Sequence, residues 1–146
     1  MPFSLFISDL HLSADRPEIS SAFSRFLAST ATQAEALYIL GDLFEYWAGD
    51  DDIHDPFNRQ AIQALARLHL NGVAIYLMHG NRDFLMGKVM ATACGAHMLP
   101  DPSLIGIHGT PTLLMHGDTL CTDDTDYMAF RAQVRSPEWQ TNFLAQ

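Results

Sequence analysis

Apolar positions along this chain fall into two alternating rhythms. Ala36-Leu37-Tyr38-Ile39-Leu40 and Val73 to Met78 are short unbroken apolar runs, the pattern of buried strands, and Phe3-Ser4-Leu5-Phe6-Ile7 reads as a strand before them. Between these runs the spacing is helical. Ile19, Phe23, Phe26 and Leu27 mark one helix over Pro17 to Ser29, and Phe57, Ala61, Leu65 and Leu68 mark another from Pro56 to about Asn71. Asp55-Pro56 supplies a cap and a first helical residue, and Gly72 a stop. Leu85 to Cys94 predicts a further helix closed by Gly95. Leu104 to His108 and Thr112 to Met115 predict a hairpin around Gly109-Thr110-Pro111. From Asp124 onward the pattern is helical twice, divided by Ser136-Pro137. Tyr127, Phe130, Val134, Trp139, Phe143 and Leu144 give this tail a strongly apolar side. Strands alternating with helices predict an α/β fold.

Composition narrows the class. At 146 residues and 48% hydrophobic, residues 1–146 suit one domain rather than a disordered tail, a fibre or a disulfide scaffold. Eight Lys+Arg against 17 Asp+Glu give a net charge of −9, and Lys88 is the only lysine. Such a chain is a poor non-specific ligand for nucleic acid or anionic lipid, and its acid excess suits cations. No uninterrupted apolar run is long enough to span a bilayer. Phe3 to Ile7 lacks the basic lead-in and length of a signal peptide. Cys94 and Cys121 form no CxxC, so a reducing compartment, the cytoplasm, is the expected address.

The chemistry collects at strand ends. Asp9 and His11, Asp42, Asn81 and His116 each sit just past the carboxyl end of an expected strand, the edge where open α/β sheets bind ligands. Gly41, Gly80 and Gly117 stand beside them, where tight turns and close backbone approach are needed. Taken singly, each has a plain alternative: DxH occurs by chance, Gly-Asp is an ordinary turn, and His116 after Leu113-Leu114-Met115 suits a core histidine. Their order, always after a strand, makes coincidence a poor account. Carboxylate, imidazole and amide oxygen together suit Mn²⁺, Zn²⁺ or Fe²⁺. An aspartate such as Asp42 can bridge two such ions, a pairing suited to phosphoryl displacement.

Asp9-x-His11, Gly41-Asp42, Gly80-Asn81 and His116-Gly117, in this order, resemble the signature of the calcineurin-like metallophosphoesterases over residues 3 to 118. The resemblance implies that family's αββα sandwich, with this chain its N-terminal portion. The family's usual third motif is Gly-Asn-His-Asp/Glu; here it is Gly80-Asn81-Arg82-Asp83. A histidine there can hand a proton to a leaving group, whereas arginine stays charged and grips phosphate oxygens. That substitution favours a good leaving group, such as one phosphate of a pyrophosphate.

Longer strings sharpen the match: Gly41-Asp42-Leu43-Phe44-Glu45-Tyr46-Trp47, Gly80 to Leu85, His116 to Asp124, and the aromatic tail. They resemble the branch of the family that cleaves the pyrophosphate of UDP-2,3-diacylglucosamine, giving UMP and 2,3-diacylglucosamine 1-phosphate in Gram-negative lipid A synthesis. That likeness implies two Mn²⁺, one on Asp9, His11 and Asp42 and the other on Asp42, Asn81 and His116. It implies a catalytic phosphate contact by Arg82 and substrate binding by Asn81, Arg82 and Asp124. It also implies peripheral association with the cytoplasmic face of the inner membrane, and residues 124–146 as the start of a helical lid.

Family members continue to a Gly-His-x-His motif that adds one histidine to each metal. His54, His69, His79, His97 and His108 lack that spacing, so the expectation is a chain incomplete at its C-terminus with each ion short of a ligand. Two other readings stay open: a metallophosphodiesterase for soluble nucleotides, and an inactive or weakly metal-binding fragment.

The remaining polar residues carry paired expectations. Arg82 grips phosphate or pairs with Asp83 or a surface acid; Asp124 contacts substrate, caps a helix or belongs to a solvated cluster with Asp118, Asp123 and Asp126; Asp118 orients His116 or belongs to that cluster. Asp50-Asp51-Asp52 with His54 reads as a solvated loop leading to the Asp55 cap. Glu45, Tyr46 and Trp47 read as lining or buttressing the site, and Cys121 as a small buried filler.

Overall fold

A computed structural model describes residues 2–120 and 124–145; Cys121, and with it the expectation of a buried filler there, lies outside the described residues. Strands β1 (Ser4–Ile7), β2 (Ala36–Leu40), β3 (Ala74–Met78) and β4 (Ala96–Leu99) form a parallel sheet in that spatial order. Helices α1 (Pro17–Ala28), α2 (Pro56–Leu70) and α3 (Lys88–Cys94) make the crossovers. Right-handed crossovers that always step to the next strand in the same direction leave every helix on one face.

The side chains alternate accordingly. Leu37, Ile39, Ile75 and Leu77 pack against Phe23, Leu27, Ile62, Leu65, Leu68 and Met90 from the helices. Tyr38 and Met78 point to the other face and meet Leu114 and Ile105 of a hairpin, β5 (Ser103–Ile107) and β6 (Thr110–Leu114). Across that second face the register aligns Phe6, Tyr38, Tyr76 and His97. Phe6, Tyr38 and Tyr76 stack with centroids 4.9 and 4.7 Å apart, and His97 lies tilted against Tyr76 at 5.7 Å. Helices α4 (Thr125–Val134) and α5 (Pro137–Leu144) follow.

Local signals hold where they are complete. Asp55 Oδ1 accepts from the amides of Phe57 and Asn58 at 2.9 and 3.3 Å, starting α2 as expected. Ser136 Oγ accepts from the Trp139 amide at 3.2 Å and starts α5. Elsewhere tertiary partners move the boundaries. The expected helix over Leu85 to Cys94 begins only at Lys88, because Leu85 and Met86 belong to a turn in which the Met86 amide donates to Asp83 O. β4 was not anticipated; its four residues between Gly95 and Pro100 are too few to show a period.

The hairpin turn is shorter than expected. His108 and Gly109, at φ +49° and +81°, are its only loop residues, so Thr110 and Pro111 lie in β6 opposite Ile107 and Gly106. The tail's apolar side is divided: Val134 is buried and Trp139 stacks on Phe143, while Phe130 and Leu144 are more than half exposed.

The acidic run is not a purely solvated loop. Asp50 to His54 form a 3₁₀ turn, and Asp50 accepts from the amides of Gly87 and Met90 at 2.9 and 3.0 Å and from Trp47 Nε1 at 3.2 Å. A distant carboxylate thus caps α3, whose own N-cap, Gly87, has no side chain to do so. Replacing Asp50 by Ala should lower the unfolding free energy by about 1–2 kcal/mol. Asp51→Ala, at an exposed position in the same run, should stay within about 0.5 kcal/mol. Urea denaturation followed by circular dichroism reads both, and equal effects would refute the capping role.

Candidate metal centre

The loops after β1 and β2 keep pairing beyond the sheet. The Asp9 amide donates to Gly41 O at 3.0 Å, His11 to Asp42 O at 2.9 Å and Leu12 to Leu43 O at 2.9 Å. This extension forces unusual backbone: Asp9, His11 and Asp42 have φ of +58°, +49° and +55°. Among the described residues the only other non-glycine with positive φ is His108, in the hairpin turn. Left-handed backbone disfavours side chains and concentrates at functional sites.

Two glycines let the loops meet. A Cβ on Gly41 would overlap the His116 ring, and one on Gly80 would overlap the Asp42 amide and carboxylate. Gly117 has open space around it and serves only its φ of +104°.

Asp42 is the centre of the arrangement and is buried, 4% exposed. Its Oδ2 lies 3.3 Å from His116 Nε2 and 3.7 Å from His11 Nε2, while Oδ1 accepts from the Arg82 amide at 2.8 Å. Asp9 Oδ1 is 3.8 Å from His11 Nε2. One ligand atom each of Asp9, Asp42 and His116 lie within 4.8 Å of one another. Four of the five expected metal ligands therefore converge.

Asn81 is one residue beyond Gly80 and is exposed; its side-chain oxygen lies beside the Tyr127 hydroxyl. Arg82 Nη2 lies 3.1 Å from Glu45 Oε1, so its partner is Glu45 rather than Asp83. Glu45 Oε2 is also 3.1 Å from His11 Nδ1, a buried atom with no aligned hydrogen-bond partner among the described residues. Tyr46 is exposed and Trp47 is core. Asp124 caps α4, Oδ1 accepting from the Tyr127 amide at 2.9 Å. Asp118 does not orient His116. Its Oδ2 accepts from Tyr127 and Arg131, each at 2.6 Å, and His116 Nδ1 is held by Leu40 O at 2.8 Å instead.

Asp83 was the residue missed. It is fully buried and accepts from the amides of Gly80 (2.9 Å), Asp42 (3.2 Å), Leu43 (2.7 Å) and Phe44 (3.2 Å). Its position next to Arg82 in the third motif was the available signal. Burial pushes its carboxyl up against the pull of these donors, and the neighbouring Asp42 charge adds to the rise.

The electrostatics suit a cation. Burial raises Asp42, but the His116 hydrogen bond, the Arg82 amide and the His116 and His11 charges outweigh it and bring the carboxyl to about 2. The Asp42 hydrogen bond raises His116 to about 9 against its burial, with Leu40 O helping. The place beside Asp42 Oδ2 thus favours positive charge. Two carboxylates and an imidazole that meet, with a second imidazole, His11, beside both carboxylates, fit a borderline divalent cation.

Residues 4–145 match the calcineurin-like phosphoesterase family, and the chain belongs to it. Membership implies divalent-metal binding, consistent with the group around Asp42. The chain is 54% identical over 143 residues to the UDP-2,3-diacylglucosamine hydrolase of Cellvibrio japonicus, covering 98% of this chain and 59% of that protein. Over 142 residues it is 54% identical to the hydrolase of the same name from Escherichia coli O81, covering 97% of this chain and 59% of that one. The chain thus spans less than two thirds of the length of these curated relatives. The crystal structure of Pseudomonas putida nuclease MPE shares the fold, with a TM-score of 0.54 and 20% identity over 70% of this chain and 50% of that one.

Asp83→Ala strands four buried amides, each worth about 1–3 kcal/mol when unpaired, and should leave the chain unfolded or at least about 3 kcal/mol less stable in urea. For pH, the raised His116 adds stability that is complete below 6.5 and lost as pH climbs through about 9. The lowered Asp42 adds stability that is complete above 3.8 and lost as pH falls through about 2. The metal-free chain should therefore draw full benefit from this pair between pH 3.8 and 6.5, and His116→Ala should flatten the alkaline decline in urea midpoints.

Proposed function

We propose that this chain carries the metal-binding rim of a UDP-2,3-diacylglucosamine hydrolase, cleaving the pyrophosphate to UMP and 2,3-diacylglucosamine 1-phosphate in lipid A synthesis. The observation that carries the reading is Asp42 Oδ2, which faces His116 Nε2 and His11 Nε2 at once. A carboxylate so placed is suited to bridge two cations, with Asp9 and His11 on one side and His116 and Asn81 on the other. Identity of 54% to hydrolases of that name supports the substrate.

Two Mn²⁺ bound there would supply hydroxide near neutral pH and neutralise phosphate charge. The protein's own groups do the rest. Asp42 keeps Oδ1 on the Arg82 amide, so its other oxygen stays aimed at the imidazoles. Leu40 O holds His116 Nδ1 and so directs Nε2 inward. Arg82, its side chain 60% exposed, can leave Glu45 for a phosphate oxygen. It donates no proton to the leaving group, which suits a phosphate leaving group. Asn81 and Asp124 would serve as substrate contacts.

The exposed Phe130, Phe143 and Leu144 of α4 and α5 supply an apolar surface for acyl chains and for peripheral contact with the cytoplasmic face of the inner membrane. Residues 124–146 then begin a lid over the rim. No helix of the described residues is long and apolar enough to cross a membrane.

The test is release of UMP from UDP-2,3-diacylglucosamine with Mn²⁺, before and after EDTA, beside a soluble phosphodiester. Expected is metal-dependent turnover selective for the lipid nucleotide, lowered at least about 100-fold by Asp42→Ala. Turnover that survives Asp42→Ala overturns the assignment, and preference for the soluble diester moves it to a general phosphodiesterase.

A further inference from the structure

One face of α4 is devoted to anchoring. Tyr127, Arg131 and Arg135 recur every fourth residue and so share that face. Arg131 Nε donates to Asp118 Oδ2 at 2.6 Å and Nη2 to Asp101 Oδ2 at 3.3 Å. The other oxygen of Asp101 accepts the backbone amide of His116 at 3.3 Å. Tyr127 places its hydroxyl between Asn81 Oδ1 and Asp118 Oδ2, and its single proton serves whichever it faces. Arg135 Nη2 donates to Gly80 O at 2.8 Å. The segments bearing His116 and Asn81 are therefore both bolted to α4. The loop bearing Asp9 and His11 is held instead by its ladder to Gly41, Asp42 and Leu43.

The anchor is poorly suited to stability alone. Side chains of Asp101 and Asp118 are 3% and 4% exposed and that of Arg131 is 17%. Three charges so withdrawn from water gain little over a well-packed apolar cluster. Asp118 Oδ1 is buried with no hydrogen-bond partner among the described residues. What a planar, always-charged fork does give is fixed geometry between two carboxylates.

We propose that Arg131 is the positioning residue for one half of the metal centre, fixing His116 and Asn81 through Asp101, Asp118 and Tyr127 while the Asp9–His11 half stands without it. This rests on the two-cation reading above. That reading requires only that five ligands meet; here the two halves are held by different parts of the chain.

The experiment titrates the chain with Mn²⁺ alone, using calorimetry and electron paramagnetic resonance. Wild type is compared with Arg131→Gln, Arg131→Lys, Asp101→Asn, Tyr127→Phe and Asp42→Ala, each checked for folding by circular dichroism. Wild type should show two classes of Mn²⁺ and a spin-coupled signal. Arg131→Gln should weaken one class by about 10–100-fold, abolish the coupled signal and leave the other class nearly unchanged. Arg131→Lys, which cannot reach both carboxylates, should restore only part of the lost affinity.

Should Arg131→Gln fail to fold, Asp101→Asn and Tyr127→Phe carry the test, since each cuts one connection and leaves Arg131 paired with Asp118. A single Mn²⁺ class in wild type, equal losses in both classes, or a coupled signal that survives in folded variants overturns the proposal. If Asp42→Ala loses Mn²⁺ while the anchor variants keep it, this inference alone fails. If Asp42→Ala binds as wild type does, the two-cation reading fails and takes this one with it.

Discussion

A carboxylate with no exposure to water must find partners, and Asp83 finds four backbone amides on two different loops. Three belong to the turn after β2 and one to the turn after β3, so this side chain joins the two into a single piece. The rest of the centre rests on that join. With Gly80 drawn against Asp42, the Arg82 amide reaches Asp42 Oδ1, and Oδ2 is left as the free oxygen facing both histidines. Without Asp83 the same residues would occupy two independent loops, and the separation of their donors would be set by chance.

The centre is also the place where the chain departs from relaxed backbone. Left-handed residues other than glycine cost of order 1 kcal/mol or more each, and Asp9, His11 and Asp42 all adopt that conformation. They are held by ladder bonds that prolong the β1–β2 pairing, from Asp9 to Gly41 and from His11 to Asp42. Two carboxylates kept close together add a further cost unless positive charge lies between them. Protonated His116 supplies some of that charge, and a divalent cation would supply more. The strain and the charge crowding point the same way, toward a site built for occupancy rather than for the stability of the free chain.

How far the sequence was legible follows from where each signal resides. β2, α2 and α5 were readable because the apolar run, the Asp55-Pro56 start and the Ser136-Pro137 start are all local. The meeting of Asp9, His11 and Asp42 was readable for a related reason: each follows a strand of the parallel sheet, whose carboxyl ends share one edge. His116 arrives from the antiparallel hairpin packed on the sheet's second face. What escaped depends on partners far along the chain. Asp50 looks like one acid among several until Gly87 and Met90 arrive beneath it. Asp83 beside Arg82 invites an ion pair, yet burial turns it to the backbone and leaves Arg82 to Glu45. Asp118 follows His116 so closely that orienting it seemed natural, but its oxygen faces α4. The start of α3 moved for the same reason as Asp50, since a cap supplied from another loop leaves no trace in the local spacing.

Two arginines beside the centre show how burial divides one chemistry into two roles. Arg82 and Glu45 have side chains 60% and 40% exposed, and pairs of that kind contribute about 0–1 kcal/mol. Breaking such a contact costs little, so Arg82 can exchange Glu45 for another anion, as the proposed phosphate contact requires. Arg131 has the same guanidinium but is mostly buried between two carboxylates that have almost no other access to charge. Withdrawing it would leave those charges unpaired in a medium that screens them poorly, a far larger penalty. It cannot act as a ligand-exchanging group and is confined to holding geometry. The mobile arginine stands in the loop that also carries Asn81, and the locked one on the helix that fastens that loop. Freedom at Arg82 is useful because Asp83 and the α4 residues Tyr127 and Arg135 keep its loop in place.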